Sequence, residues 1–502
     1  MGATAMTDTS EQRPASSVET SDSDYLRQFG VEPRLKRALG FFTGALFAIA
    51  FQGPTTGALL VSGATLAIGG PAFIWAIPII FLFQFVLSLL WAELSSHYPL
   101  TGGIFQWAGQ LGGRFAGWMT GLFYTVAIIL VMPAVGLVMN VVLSGIFPGL
   151  PVTPTSIVIT AMIFIVIAGL IMATSVTFVA RINSIGVVLE LVVLLGAAIA
   201  LLFHRHQPIS VLATTGGVEG SGSYLVPFLV VVALVVTQLV GFETAGAFAE
   251  ETKDSRIKPS QAIIAGLAGT ALILFIFDFC MILSLPDVKT AMGAGGELIP
   301  QLLNSQLGSG FAKVFLVGAC VSVASTGIAT LATIVRCIYG MARNNQLPGA
   351  RALTKLSPRT EEPNVAIVVS VVLSMIPLLF IKKIEVIVAA ITALIIIPYL
   401  IVLVSLLMRR LRGWPNTPSK FNLGRWGMAL TIIGIVWSTF VILDAAWSRD
   451  ATNPHLGPLP IIWELAVGII VVGVLWWFVR LRNVRSIVPD AAGSDAPATP
   501  TA

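Results

Sequence analysis

Residues 241–254 read GFETAGAFAEETKD, and the seventeen residues before them, YLVPFLVVVALVVTQLV at 224–240, carry no charge. An apolar helix runs this far and then meets Gly241, Phe242, Glu243 and Thr244. A glycine and a carboxylate at the end of such a run predict a helix that stops partway across a membrane. Its freed backbone and its acid would then hold a solute.

Composition supports the membrane reading. The chain has 502 residues, 56% of them hydrophobic and 11% charged. That charged share is less than half the ~25% usual in soluble domains. With a mean hydropathy of +0.91, the chain must use lipid as its solvent. Met1 to Gly40 is polar and lacks the apolar core of a signal peptide, so the first span is expected to stay as an uncleaved anchor. Residues 1–24 and 489–502 are rich in small polar and acidic residues and read as disordered tails. Cys280, Cys320 and Cys337 all fall in apolar segments without metal spacing, and are expected to be free thiols.

Twelve runs qualify as spans: 41–68, 72–92, 115–144, 155–173, 182–203, 224–249, 260–284, 311–340, 365–381, 384–408, 426–446 and 460–479. The shortest is 365–381, joined tightly to the next at Lys382-Lys383. Twelve spans put both termini on one side, and that side collects 23 of the 29 Lys and Arg. The positive-inside rule then makes both termini cytoplasmic. The same asymmetry explains the pI of 9.2 without nucleic acid.

A second interruption resembles the first. The opening span runs FFTGALFAIAF, then Gln52-Gly53-Pro54-Thr55-Thr56-Gly57, then ALLVSGATLAIGG. Gly and Pro within a span free N–H and C=O groups that lipid cannot satisfy, so such breaks survive only where they line a cavity or are covered by protein. The two breaks lie about 190 residues apart and each opens a set of five spans, the arrangement of a transporter built from inverted repeats. The alternative at either break is a simple kink.

An acid at mid-span costs roughly 2.5–3.5 kcal/mol on insertion scales, so each one needs a reason. Glu243 at the second break either holds an ammonium group or a proton, or caps the half-helix that follows. Glu190 lies in RINSIGVVLELVVLLG with no opposite charge near it on its own span; Arg181 is about 13 Å away along the axis. That suits a group that takes up and releases a proton, with a hydrogen bond to a neighbouring helix as the alternative. Asp278 reads as a polar tie between helices. Glu250 and Glu251, next to Lys253, Arg256 and Lys258, read as a solvated or gate-forming cluster. Ser322, Ser325 and Thr326 suit helix packing, and Ser325 with Thr326 also form a possible sodium site. His97, His204, His206 and His455 show no metal spacing, and no GxxxxGK[ST] loop or catalytic set is present. No cofactor or metal is called for, and an enzyme is not expected.

Several stretches resemble a known group. AELSSHYPLTGGIFQWAGQLGG (92–113), GFETAGAFAEETKDSRIKPSQAI (241–263) and ARNNQLPGARALTKLSPRTEEPNVAI (342–367) resemble segments of the amino acid–polyamine–organocation permeases. Together with DYLRQFGVEPRLKRALGFF ahead of the first span, they are closest to the amino acid–choline transporter branch. The resemblance covers roughly 24–485. It implies an all-α membrane protein of twelve transmembrane helices. Two inverted repeats of five (41–203 and 224–408) would be followed by two extra helices (426–479), with cytoplasmic tails at 1–40 and 480–502. It also implies a substrate site between Gln52–Gly57 and Gly241–Gly246, with N–H groups near the first break receiving a carboxylate and Phe242 closing over it. Some proton-coupled relatives carry a lysine in span five, nine residues after an arginine. Here Arg181 is kept and Glu190 stands at that spacing. A carboxylate there carries the proton, binds a cation, or complements a cationic substrate. The first break also lacks the Gly-Ser-Gly type of run found in many members.

The expected function is secondary active transport of an amino acid or related amine (GABA, polyamine or choline) across the cell membrane by alternating access. Glu243 would hold the amine, Phe242 would gate and Glu190 would couple to protons. Sodium coupling, exchange, and a sensor or channel on the same scaffold are the alternatives. Oligomeric state is left open.

Overall fold

The structure is a computed structural model that describes residues 37, 39–147, 149–220, 222–379, 384–415, 419–449, 453–455 and 459–483. The expectations for 1–24, 489–502 and the Lys382-Lys383 junction lie outside the described residues. All twelve apolar runs contain helix, and among the described residues there is no β-strand, only isolated β-bridges.

The first run is split into α1 (Phe41–Gln52) and α2 (Pro54–Gly57), which continues through a π-helical turn at Ala58–Ser62 into α3 (Gly63–Gly69). Then come α4 (Ala76–His97), α5 (Ile104–Ile146), α6 (Pro154–Met172) and α7 (Val176–Phe203). The sixth run gives α8 (Leu225–Gln238) and the single turn α9 (Thr244–Ala247). The remaining long helices are α10 (Lys258–Leu283), α11 (Leu298–Arg343), α12 (Asn364–Met375), α13 (Ile384–Leu411), α14 (Gly427–Ala445) and α15 (Ile461–Val479). Among the described residues, ten stretches are long and apolar enough to cross a membrane. The two shorter ones are Leu225–Gln238, cut short by its break, and Asn364–Leu379.

Burial sorts these helices. The first run is almost wholly enclosed, whereas α6 and α15 show bare apolar faces. Ile159, Ile163 and Ile167 recur at helical spacing on α6, each about half exposed, as a lipid-facing stripe requires. The broken first helix therefore sits inside the bundle, where protein can satisfy its interrupted backbone. It packs on α10, α7 and α11, while α5 packs along α13.

Candidate functional site

The first break is a stop followed at once by a start. Gly53 adopts a left-handed conformation (φ +54°) and its N–H closes α1 on the Ile49 carbonyl at 2.8 Å. Pro54 then opens α2, where its missing N–H costs nothing because that donor would have had no partner. The next donor, the Thr55 N–H, is taken by the Glu190 carboxylate at 2.7 Å. Glu190 reaches it from α7, 135 positions away in the chain, and is fully buried. Its other oxygen accepts no hydrogen bond, and the hydroxyls of Ser322 and Thr55 stand beside the carboxyl. Of the two sequence readings of Glu190, the hydrogen bond to a neighbouring helix is present, and it lands on the break itself.

The second break is wider. Leu239 to Glu243 leave the helix, and Gly241 has φ +92°. A side chain at Gly241 would fall 2.1 Å from the Phe51 ring, so the two breaks touch. Thr244 turns its hydroxyl back to the Gly241 carbonyl at 2.7 Å. Glu243 precedes α9 but makes no side-chain cap. Its carboxylate accepts instead from Tyr124 of α5 at 2.5 Å and from Tyr399 of α13. Phe242 is fully buried, with its ring edge-on to Tyr399.

Between the breaks lies a cavity of about 60 Å³. Gln52, Thr56, Gln238 and Thr326 form a polar strip along it, Gly57 lets Gln238 approach, and Thr237 also lines it with its hydroxyl turned to Val388 and Thr392 of α13. Val131 and Val135 of α5 and Val388, Ile391 and Ile395 of α13 form an apolar wall. The structure thus puts Gln52, Thr56, Gly57 and Thr326 on one cavity. Gly53, Pro54, Thr55, Gly241, Phe242, Glu243, Thr244, Glu190 and Ser325 stand outside its lining.

The hydroxyls named for sodium have partners. Ser325 donates to the Asn183 backbone and side-chain oxygens at 3.2 and 3.1 Å. Thr326 pairs with Thr56 at 3.2 Å, a contact across the first break. Asp278 of α10 is buried, and neither its Oδ1 nor the nearby Ser62 hydroxyl of the π-helical turn has a hydrogen-bond partner, so no tie between the two is formed here.

At one end of the sixth run, buried ion pairs join it to α11. The backbone of Leu39 pairs with Glu251 and Lys253, each bond at 2.9 Å. Arg336 of α11 forks onto Glu251 (2.7 and 3.1 Å) and also onto Glu362 (2.9 and 3.3 Å). Arg343 holds Glu250 at 2.8 and 3.0 Å, and the Thr101 N–H adds a bond to the same carboxylate at 2.7 Å. Glu250 and Glu251 are buried, so the cluster is an enclosed clamp and the solvated reading fails.

Gln238, Tyr124 and Tyr399 were missed in the sequence. Each is a polar group set in an apolar run, and a tyrosine hydroxyl deep in a span needs a partner. That was the available signal.

Two helices broken opposite each other around a small cavity are the geometry of a membrane carrier. Residues 39–476 match the family described as amino acid permease. The chain belongs to that family. This permease is 24% identical over 472 residues to an amino-acid permease BAT1 homolog of Oryza sativa subsp. japonica, which covers 87% of this chain and 90% of the relative. It is 21% identical over 492 residues to amino-acid permease BAT1 of Arabidopsis thaliana, covering 91% and 94%. It is 26% identical over 373 residues to the branched-chain amino acid permease BcaP of Bacillus subtilis, covering 69% and 75%. The permease is therefore a multi-pass membrane protein of amino acid transport, not an enzyme.

Proposed function

We propose that this permease is a secondary active transporter that moves an amino acid by alternating access, driven by protons, with Glu190 as the group that carries the proton. The observation that carries the proposal is the Glu190 carboxylate on the Thr55 N–H at the first break. A hydrogen bond from a backbone donor to a charged acceptor is stronger than one to a neutral acceptor. Protonation of Glu190 therefore loosens α7 from the broken helix and frees a donor beside the cavity. Binding and proton uptake are then linked through one N–H group.

Other features agree. The existing partners of Ser325 and Thr326 favour protons over sodium as the coupling ion. The Arg336 and Arg343 clamp seals one end, and the distribution of Lys and Arg makes that end cytoplasmic, in the cell membrane. Glu243, held by two tyrosines and outside the cavity lining, fixes the second break against α5 and α13 instead of holding the amine.

Glu190→Gln tests the coupling. In liposomes, the variant is expected to exchange labelled amino acid at near the parent rate but to lose accumulation against an imposed pH gradient. A variant that accumulates like the parent removes Glu190 from the proton path.

A further inference from the structure

The cavity also constrains what enters it, an inference that rests on the transport reading above. The polar strip offers two buried acceptors. Gln52 spends its amide N–H on the Ala48 carbonyl at 3.1 Å, which aims its carbonyl oxygen elsewhere, and that oxygen accepts no bond. The Gln238 carbonyl oxygen likewise accepts none. Both side chains are more than nine-tenths buried and both line the cavity. A buried acceptor without a donor is costly, so a donor belongs there when the site is filled. An ammonium group supplies three donors and no acceptor.

The rest of the lining limits what that ammonium carries. The facing wall of Val131, Val135, Val388, Ile391 and Ile395 has no polar side-chain atom. A second charge placed against it would be desolvated without a partner. Neither nearby acid stands in the lining to meet one. Glu243 accepts from Tyr124 and Tyr399, and one oxygen of Glu190 accepts from the Thr55 N–H. A quaternary ammonium has no N–H to give the glutamines and is recognised by an aromatic cage, whereas among the described residues Phe51 is the only ring in the lining.

The geometry points to an α-amino acid with an uncharged aliphatic side chain as the substrate. Its ammonium lies between Gln52 and Gln238, and its side chain lies on the α5–α13 wall. Charge is confined to one end of such a molecule, and among the described residues no charged side chain stands in the cavity lining to meet a second one. Cationic and acidic amino acids, GABA, diamines and choline each place charge elsewhere, or lack the donor.

The test is counterflow of labelled valine into liposomes holding the full chain, with competitors outside. Leucine, isoleucine and valine are expected to compete. Lysine, glutamate, GABA, putrescine and choline are expected not to. Gln52→Leu and Gln238→Leu, tested singly, should each raise the half-saturating valine concentration by about tenfold or more, the worth of a hydrogen bond to a charged group. Protection of the purified protein by valine against heat reads the same loss without flux. Saturable transport that prefers a member of the second group, or either leucine variant keeping the parent's valine affinity, overturns the substrate assignment and leaves the carrier reading standing. Transport of no member of either group overturns both.

Discussion

An alanine at position 53 would meet two obstacles at once. Its backbone would have to hold φ +54°, where a residue with a Cβ carries strain of about 1–3 kcal/mol. Its Cβ would also sit 2.5 Å from the Thr326 hydroxyl. Gly53→Ala is therefore expected to lower the thermal midpoint of the purified protein. Thr326→Ala in the same chain should restore only the steric part, because the backbone strain remains. Full restoration by Thr326→Ala would show that the left-handed turn at the first break carries no cost. Single residues also divide by how visible they were beforehand. Gln52 and Thr56 were in view because Gly and Pro mark the break around them. The partners of Glu190 and Glu243 were not, because Thr55, Tyr124 and Tyr399 are 135, 119 and 156 positions distant. Periodicity within one helix says nothing of a bond across such a gap.

Among elements, the junction of α11 with the end of the sixth run carries the greatest electrostatic stake. Arg336 is buried between two carboxylates, and removing one partner from a buried ion pair costs about 3–5 kcal/mol. Arg336→Gln leaves Glu251 and Glu362 without their shared cation. It should raise amide hydrogen exchange around Leu39 and residues 248–252, as the clamp opens, while leaving α6 and α15 unchanged. Exchange that rises evenly across the bundle would mean that Arg336 supports the fold rather than this closure. Element type was legible in the sequence: twelve apolar runs gave helices, the first break falls at Gly53-Pro54 and the second at Gly241. Their shapes were less so. The first break spans a single residue, because Gly53 and Pro54 end one helix and start the next without a loop. The second spreads over several residues, which the string GFET does not encode. The acids after it stand next to Lys253, Arg256 and Lys258 in the chain, but their ion-pair partners are Arg336 and Arg343 of α11.

At the scale of the molecule, an enclosed broken helix, a lipid-facing outer ring and a clamp at one end describe one state of a carrier. The cavity lies beyond the clamp, walled by the second half of the first run and by α8, α5 and α13. Release on the clamped side requires the buried ion pairs to part. On the proposed function, alternating access is an exchange between this closure and one at the other end, biased by substrate and by the charge on Glu190. The measurement that tests this most directly is trans-stimulated flux in liposomes containing the full chain. Unlabelled amino acid inside should accelerate entry of labelled amino acid outside, and entry should saturate with concentration. Flux that rises linearly and ignores the inner pool would mean an open pore, and binding without flux would mean a sensor; either result contradicts the account.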